Sequence, residues 1–300
     1  MLKKTLLILL MVVLSITAMA VIAVKYQRAP QVLTVHDDLE QELEFFDLPQ
    51  RLVVLEPGAA CRLQAWRREQ LVVGVSSEGA HLFPRAENLG PRQAITPLQI
   101  AAIRADLIIV GAESSTLAQR LREAGFPVLT FAPSRLAQLL AGPELLGLLV
   151  EAEAEANEFR LELVEQLASF RQEAKEQVGP EARVLWISDP QLTVAGLNSL
   201  EDDLIQLAGG SNAAEHVDGK VPLMLEDIAQ LKPTLILAPP ESVPLLEEIF
   251  LQATAAEEEM QLPRIISPPA DLLAVNWDNV LEKANWLKQE LLLPEENIGE

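Results

Sequence analysis

Residues 151–178 read EAEAEANEFRLELVEQLASFRQEAKEQV, and the fold follows from what this stretch is. From Glu144 to Val178 there is no proline and no glycine after Gly147, and Glu, Ala, Leu and Gln dominate. Those residues lose little side-chain freedom in a helix, so the stretch is expected to be one long helix, stopped by Gly179-Pro180. Its alternating acids fall on different sides of such a helix, which makes them a solvated face and not a metal cluster.

Short β-rich runs alternate with helical stretches on both sides of it. Before it, 51–55, 71–75, 107–110 and 128–131 read as buried strands, with helical spacing over 59–68, 97–104 and 116–124. After it come strands at 183–187, 235–238 and 264–266, helices at 199–208 and 223–231, and a closing helix over 276–292. Such alternation implies parallel sheets with helices on their faces. The expected fold is therefore α/β: two Rossmann-like lobes bridged by one long α-helix. The divisions are an N-terminal segment (1–24), a linker without sustained period (25–49), a first lobe (50–142), a bridging segment opening at Pro143 (143–178) and a second lobe (179–300). A repeat supports the two halves. QIAAIRADLIIV (99–110) and DIAQLKPTLILA (227–238) align without gaps at an offset of 128, which sets a similar unit at an equivalent place in each half.

The net charge of −21, from 44 acids against 23 Lys and Arg, would repel phosphate backbones and anionic lipid, so nucleic acid is a poor partner. A single cysteine, Cys61, excludes a disulfide framework and a cysteine-based zinc site. Lys3 and Lys4 precede an uncharged run over 5–24 that is long enough to cross a bilayer, while Ala18-Met19-Ala20 fits a signal-peptidase site. The lysines are expected to stay in the cytoplasm and the remainder to be exported, either freed by cleavage or tethered to the inner membrane by residues 5–24.

Enzyme signatures are mostly absent. There is no GxGxxG, GxxxxGK[ST] or GxSxG, and His36, His81 and His216 are far apart in sequence. The Gly-Gly-Ser-Asn turn at 209–212 follows a helix that Ser199 caps, with Asp202 completing a capping box. Gly209 then sits at a helix C-terminus, where carbonyls face outward, the wrong polarity for a phosphate. Pro222 is expected to open the next helix, and Glu226 falls in its first turn, where an acid compensates the helix dipole.

This layout resembles the substrate-binding proteins of ABC importers for iron complexes and cobalamin. The resemblance covers about residues 50–290 and is carried by RLVVLEPGAACRLQAW (51–66), LVVGVSSEGAHLFP (71–84), ITPLQIAAIRADLIIVGAESSTLAQRLREAGFPVLTF (95–131) and GLNSLEDDLIQLAGGSNAAEHVDGKVPLMLEDIAQLKPTLILAPP (196–240). The last segment looks most like the hemin-binding branch. The resemblance implies a binding protein and not an enzyme, with no intrinsic cofactor. The ligand would be hemin, a ferric siderophore or a corrinoid, held in a cleft between the lobes and handed to an ABC permease and its ATPase. Loops at strand ends would hold it, giving Glu56, Pro57, Gly58, His81, Phe83, Arg92, Trp186, Asn198 and Trp277 as ligand-binding residues. Trp186, Trp277, Phe83 and His81 would supply flat contacts, and Arg92 would pair a ligand carboxylate. One exposed glutamate per lobe docks such proteins onto permease arginines. Glu226 matches the second-lobe position, while Ser115 stands at the first, with Glu113 two residues away as a substitute. Pro91 replaces the tyrosine of the hemin branch and the one tyrosine is Tyr26, which argues against tyrosine-ligated heme. These departures leave an alternative, a membrane-anchored accessory or scaffold protein of the same fold that has lost transport.

Overall fold

The hydrophobic run that opens the first lobe, β3 (Leu52–Val54), is buried along its whole length, and in a computed structural model it is flanked on both sides by parallel partners. The structure describes residues 32–179, 181–256, 262–269, 272 and 274–293; the expected signal or anchor segment, 1–24, lies outside them. The first sheet has the order β5-β4-β3-β6-β7, with β4 Val72–Val75, β5 Glu87–Asn88, β6 Leu107–Gly111 and β7 Val128–Phe131, all parallel. Helices α1 (Pro57–Ala65), α2 (Pro97–Ala102) and α3 (Ser115–Glu123) connect these strands. After α4 (Leu136–Leu149) and α5 (Glu153–Val178) comes a second parallel sheet of order β10-β8-β12-β13, with β8 Arg183–Trp186, β10 Ser211–Asn212, β12 Leu235–Leu237 and β13 Arg264–Ile266. Its connections include β9 (Thr193–Ala195), which pairs antiparallel with β11 (Lys220–Pro222), and helices α6 (Leu200–Leu207), α7 (Leu225–Gln230), α8 (Val243–Ala256) and α9 (Val280–Leu292).

Side chains alternate across each sheet, and the alternation sorts them into three cores. Leu52, Val54, Leu107 and Ile109 of the first sheet share one core with Val184, Trp186, Leu235 and Leu237 of the second and with α5. The opposite faces form separate cores, one from Val53, Ile108 and Val110 and another from Leu185, Ile187 and Ile236. The lobes are thus joined by continuous packing as well as by chain. The bridging helix α5 is 26 residues long and buries only Ala156, Leu163, Leu167, Ala174 and Val178. That spacing of seven and four keeps one narrow seam against the protein and leaves the acids in water, as the sequence pattern implies.

Three local readings change. Pro143 does not open the bridging segment, because it lies inside α4 with its side buried; the break falls at 150–152, where Glu151 has φ 54°. Within the expected linker 25–49, β1 (Leu33–His36) and β2 (Glu42–Phe45) form an antiparallel pair. Four-residue strands carry too few alternations to read as a period, and what anchors them is tertiary. The buried Asp37 carboxylate accepts from Arg122 Nη2 at 2.5 Å and from the backbone N–H groups of Leu39 and Gln41 at 2.9 Å. Pro222 ends β11 instead of opening a helix, and α7 begins after Met224, since a proline lacking its N–H is tolerated at a short edge strand.

The stop at Gly209 stands as read. It has φ 90°, and a Cβ there would lie 2.5 Å from the Ala174 carbonyl oxygen, so glycine both turns the chain and lets α6 end against α5. Ser199 caps α6 by accepting from the Asp202 N–H at 3.1 Å. The Asp202 carboxylate does not complete a capping box; it accepts from Asn212 Nδ2 at 3.1 Å and Gln206 Nε2 at 3.0 Å.

Candidate functional site

In parallel sheets the loops at the carboxyl ends of the strands can converge on a ligand, since helices occupy the faces. Here they frame an inter-lobe cleft of about 670 Å³. The first lobe gives Glu56 and Pro57 after β3, Gly111 to Glu113 at the end of β6, Phe131 to Ser134 at the end of β7, and Arg92. The second gives Leu200 and Glu201 at the start of α6, Lys220 of β11, and 274–276. A larger groove of about 830 Å³, around Arg51, Val72 and Phe83, lies by the amino ends of β3 and β4. It belongs to one lobe only, so the inter-lobe cleft is the candidate site.

Glu56 is buried at the N-cap of α1, where its carboxylate accepts from the Ala59 N–H. Burial pushes its carboxyl up to about 7. The Ala59 and Gly58 N–H groups pull the other way, and the Glu113 and Asp278 carboxylates add to the rise. Gly58 lies where a Cβ would come within 3.3 Å of Asn276, so its small size lets α1 start close to the second lobe. On the first-lobe wall Arg92 Nη1 pairs with Glu113 Oε1. On the second-lobe wall Lys220 Nζ pairs with Glu201 Oε1 at 2.6 Å. Two further pairs tie the lobes together beside the cleft. Arg62 Nη2 meets Asp278 Oδ1 at 2.5 Å. Arg135 grips the Asp203 carboxylate through Nε at 2.8 Å and Nη2 at 3.0 Å, and also donates to Asn198 Oδ1 at 2.5 Å.

Of the expected ligand-binding residues, Glu56, Pro57 and Arg92 line the cleft. Others need correcting. Trp186 is 1% exposed in the shared core and Trp277 is 4% exposed, so neither presents a flat face to a ligand. Trp277 stands behind the wall, edge-on to Phe131 with ring centroids 4.8 Å apart, against Gly142. Phe83 is 3% exposed and belongs to the groove at the other end of the sheet. His81 is exposed outside the cleft lining, with Nδ1 3.0 Å from the Glu78 carbonyl oxygen. Asn198 is part of the inter-lobe tie to Arg135 and donates to Asp218 at 2.8 Å. Arg92 meets Glu113 through Nη1, while its Nε is buried without a hydrogen-bond partner. Glu113, by the same pairing, lines the cleft and does not stand as a free docking group. Glu226 is exposed in the first turn of α7.

Phe131, Ser134, Glu201 and Lys220 were not anticipated. The rule that selects strand ends would have pointed to Phe131 and Ser134, since 128–131 reads as a strand. Lys220 and Glu201 meet only through the β9–β11 pairing. Among the described residues no group of three or more His, Cys, Asp and Glu side chains could hold a metal ion, and no helix is long and apolar enough to cross a membrane.

Several solved structures share this architecture. A possible iron-binding periplasmic solute-binding protein of Staphylococcus epidermidis is 14% identical, with a TM-score of 0.64 over 82% of this chain and 100% of its own. A periplasmic heme-binding protein of Vibrio cholerae is 20% identical, with a TM-score of 0.58 over 81% of this chain and 100% of its own. The periplasmic vitamin B12 binding protein of Vibrio cholerae is 17% identical, with a TM-score of 0.54 over 81% of this chain and 96% of its own. At such identities these likenesses show the fold alone. No curated protein matches the sequence significantly. The sequence profile of the family described as periplasmic binding protein matches residues 88–241, just over half of the chain. That family and the structural neighbours are solute-binding proteins and not enzymes. With two parallel sheets, a bridging helix and a cleft between them, the chain belongs to the periplasmic binding protein family.

Proposed function

We propose that the protein is exported, captures a metal chelate in the inter-lobe cleft and delivers it to an ABC permease and its ATPase. The observation that carries this reading is the cleft itself, built at the carboxyl ends of strands with residues from both lobes, in a chain of this family. Hemin, a ferric siderophore or a corrinoid is the ligand class, supported by neighbours that are heme-, iron- and B12-binding proteins. Residues 5–24 either direct export and are removed or hold the protein at the inner membrane. The ligand seat is Glu56, Pro57, Phe131, Ser134 and Val275 with the two flanking ion pairs. A calorimetric titration with hemin, cyanocobalamin and ferric siderophores tests this, and absence of binding at micromolar ligand across the panel would sink it.

For docking, Glu226 remains the second-lobe residue. The offset of 128 that relates the two repeats carries Glu226 onto Leu98, which is 80% exposed in the first turn of α2. Both helices lead into the strand that neighbours the first strand of their sheet, β6 beside β3 and β12 beside β8. Leu98 therefore replaces Glu113 and Ser115 as the first-lobe contact, giving an apolar point on one lobe and an acidic one on the other. Copurification from membranes separates transport from the scaffold alternative: transport requires a permease and an ATPase in the eluate.

A further inference from the structure

The cleft wall that follows β7 is gripped by carboxylates at both ends. β7 is the outer strand of its sheet, so one of its edges has no neighbouring strand to satisfy it. The turn of the β1–β2 hairpin takes that place. Asp37 Oδ2 accepts from the Thr130 N–H at 3.2 Å, and the Asp38 N–H donates to the Thr130 carbonyl oxygen at 3.2 Å. Asp38 Oδ2 then accepts from the Ala132 N–H at 2.8 Å. Phe131, Ala132, Pro133 and Ser134 all line the cleft. Pro133 has no N–H, and the Ser134 N–H goes to Gln138 Oε1 at 2.8 Å, so within the lining the hairpin holds the wall at Ala132. At the far end Asp203 of the second lobe accepts from the Leu136 N–H at 2.8 Å. Asp38 occupies its place at a cost. Burial raises its carboxyl to about 6, the Ala132 N–H pulls the other way, and the Asp37 carboxylate adds to the rise. Its charged form is therefore disfavoured by the fold at neutral pH. Stability alone does not account for a carboxylate there, and such costs gather where geometry serves a ligand.

We propose, resting on the cleft reading above, that Asp38 is a positioning residue for ligand capture. Its carboxylate fixes the wall at 131–134, and with it the Phe131 ring that stands edge-on to Trp277 of the second lobe. Asp38 lies outside the cleft lining and acts through the Ala132 backbone. The hairpin is thereby part of the binding apparatus, although it precedes the first lobe in the chain.

Calorimetric titration of the full chain with hemin, cyanocobalamin and ferrichrome, alongside urea unfolding at about pH 8, tests this with two variants. Asp38→Ala is expected to weaken whichever of these the parent chain binds by about three- to tenfold, the worth of one part-buried hydrogen bond. It should also speed hydrogen exchange at the Ala132 amide, while its urea midpoint stays level or rises because a disfavoured charge has gone. Asp38→Asn keeps an oxygen for the Ala132 N–H and is expected to bind within about twofold of the parent. A residue serving only the fold would not separate binding from stability in this way. Three results overturn the inference and leave the cleft reading intact: unchanged affinity in Asp38→Ala, binding and stability lost together, or Asp38→Asn binding as weakly as Asp38→Ala. Absence of binding by the parent chain across the three ligands removes the cleft reading and this inference with it.

Discussion

The two lobes are built on one plan and finished differently. In each, a first strand (β3 or β8) is flanked on one side by the strand that follows the repeated helix (β6 or β12), and in each the next strand outward continues the sheet in parallel. The shared plan puts the carboxyl ends of both sheets around one cleft. What differs is how each lobe meets the bridging helix and how it is decorated. Gly125 and Gly209 both follow a helix with positive φ, at 85° and 90°. A Cβ on Gly125 would meet nothing within 4 Å, whereas one on Gly209 would strike the Ala174 carbonyl of α5. The second lobe is thus pressed onto α5, and it is further held there by Lys288 Nζ, 2.9 Å from Glu173 Oε1 and 5.0 Å from the Phe170 ring centroid. Equivalent sequence signals carry different energetic weight because only one of them lies in an interface.

The largest expected effect tests the shared core. Trp186→Ala should cost about 3–5 kcal/mol in denaturant unfolding, since it empties a buried large side chain. Were Trp186 a ligand contact instead, binding would fall while stability held. Next, Gly209→Ala should destabilise by about 2–4 kcal/mol, combining left-handed strain with the clash at α5, and Gly125→Ala by about 1 kcal/mol from strain alone. Equal losses at the two glycines would break the contrast between the lobes.

Glu56 gives an effect of similar size that depends on pH. Its carboxyl is raised from 4.5 to about 7, so folding favours the protonated form. The associated stability is present below about pH 4.5 and is lost as pH rises through about 7, by up to about 3 kcal/mol. Glu56→Gln keeps an acceptor for the Ala59 N–H and should flatten the stability profile over that window, measured by urea unfolding at a series of pH values. Asp38, raised to about 6 chiefly by burial, adds a smaller slope of the same sign that the variant would retain. The smallest effects lie on the outer surface. Glu226→Ala should leave ligand binding unchanged and weaken coupling to the permease about two- to fivefold, the scale of an exposed ion pair. Leu98→Asp should do likewise from the other lobe in a reconstituted transport assay. A fall in ligand affinity from either would show that these positions do not dock.

The expected α/β alternation was readable because buried parallel strands are continuous apolar runs, and 51–55, 107–110 and 128–131 match β3, β6 and β7 to within about two residues. The bridging helix was readable from its composition and its Gly-Pro stop. The hairpin at 33–45 was not, since four-residue strands show no period and the Asp37–Arg122 contact joins positions 85 residues apart. Glu56, Pro57 and Arg92, expected from the family resemblance in agreement with the strand-end rule, line the inter-lobe cleft. Trp186 and Trp277 were misassigned because an aromatic near a strand end can face the cleft or lie beneath it, and period alone does not distinguish them.

The order of elements and the two-lobe plan are thus properties of the sequence, because they depend on local pattern and on the handedness of the chain. The pairing of Arg92 with Glu113 and of Lys220 with Glu201, and the burial of the two tryptophans, were decided only by the tertiary structure. A charge is available to a ligand or committed to a neighbour according to what packs beside it, and those neighbours come from segments far apart in the chain.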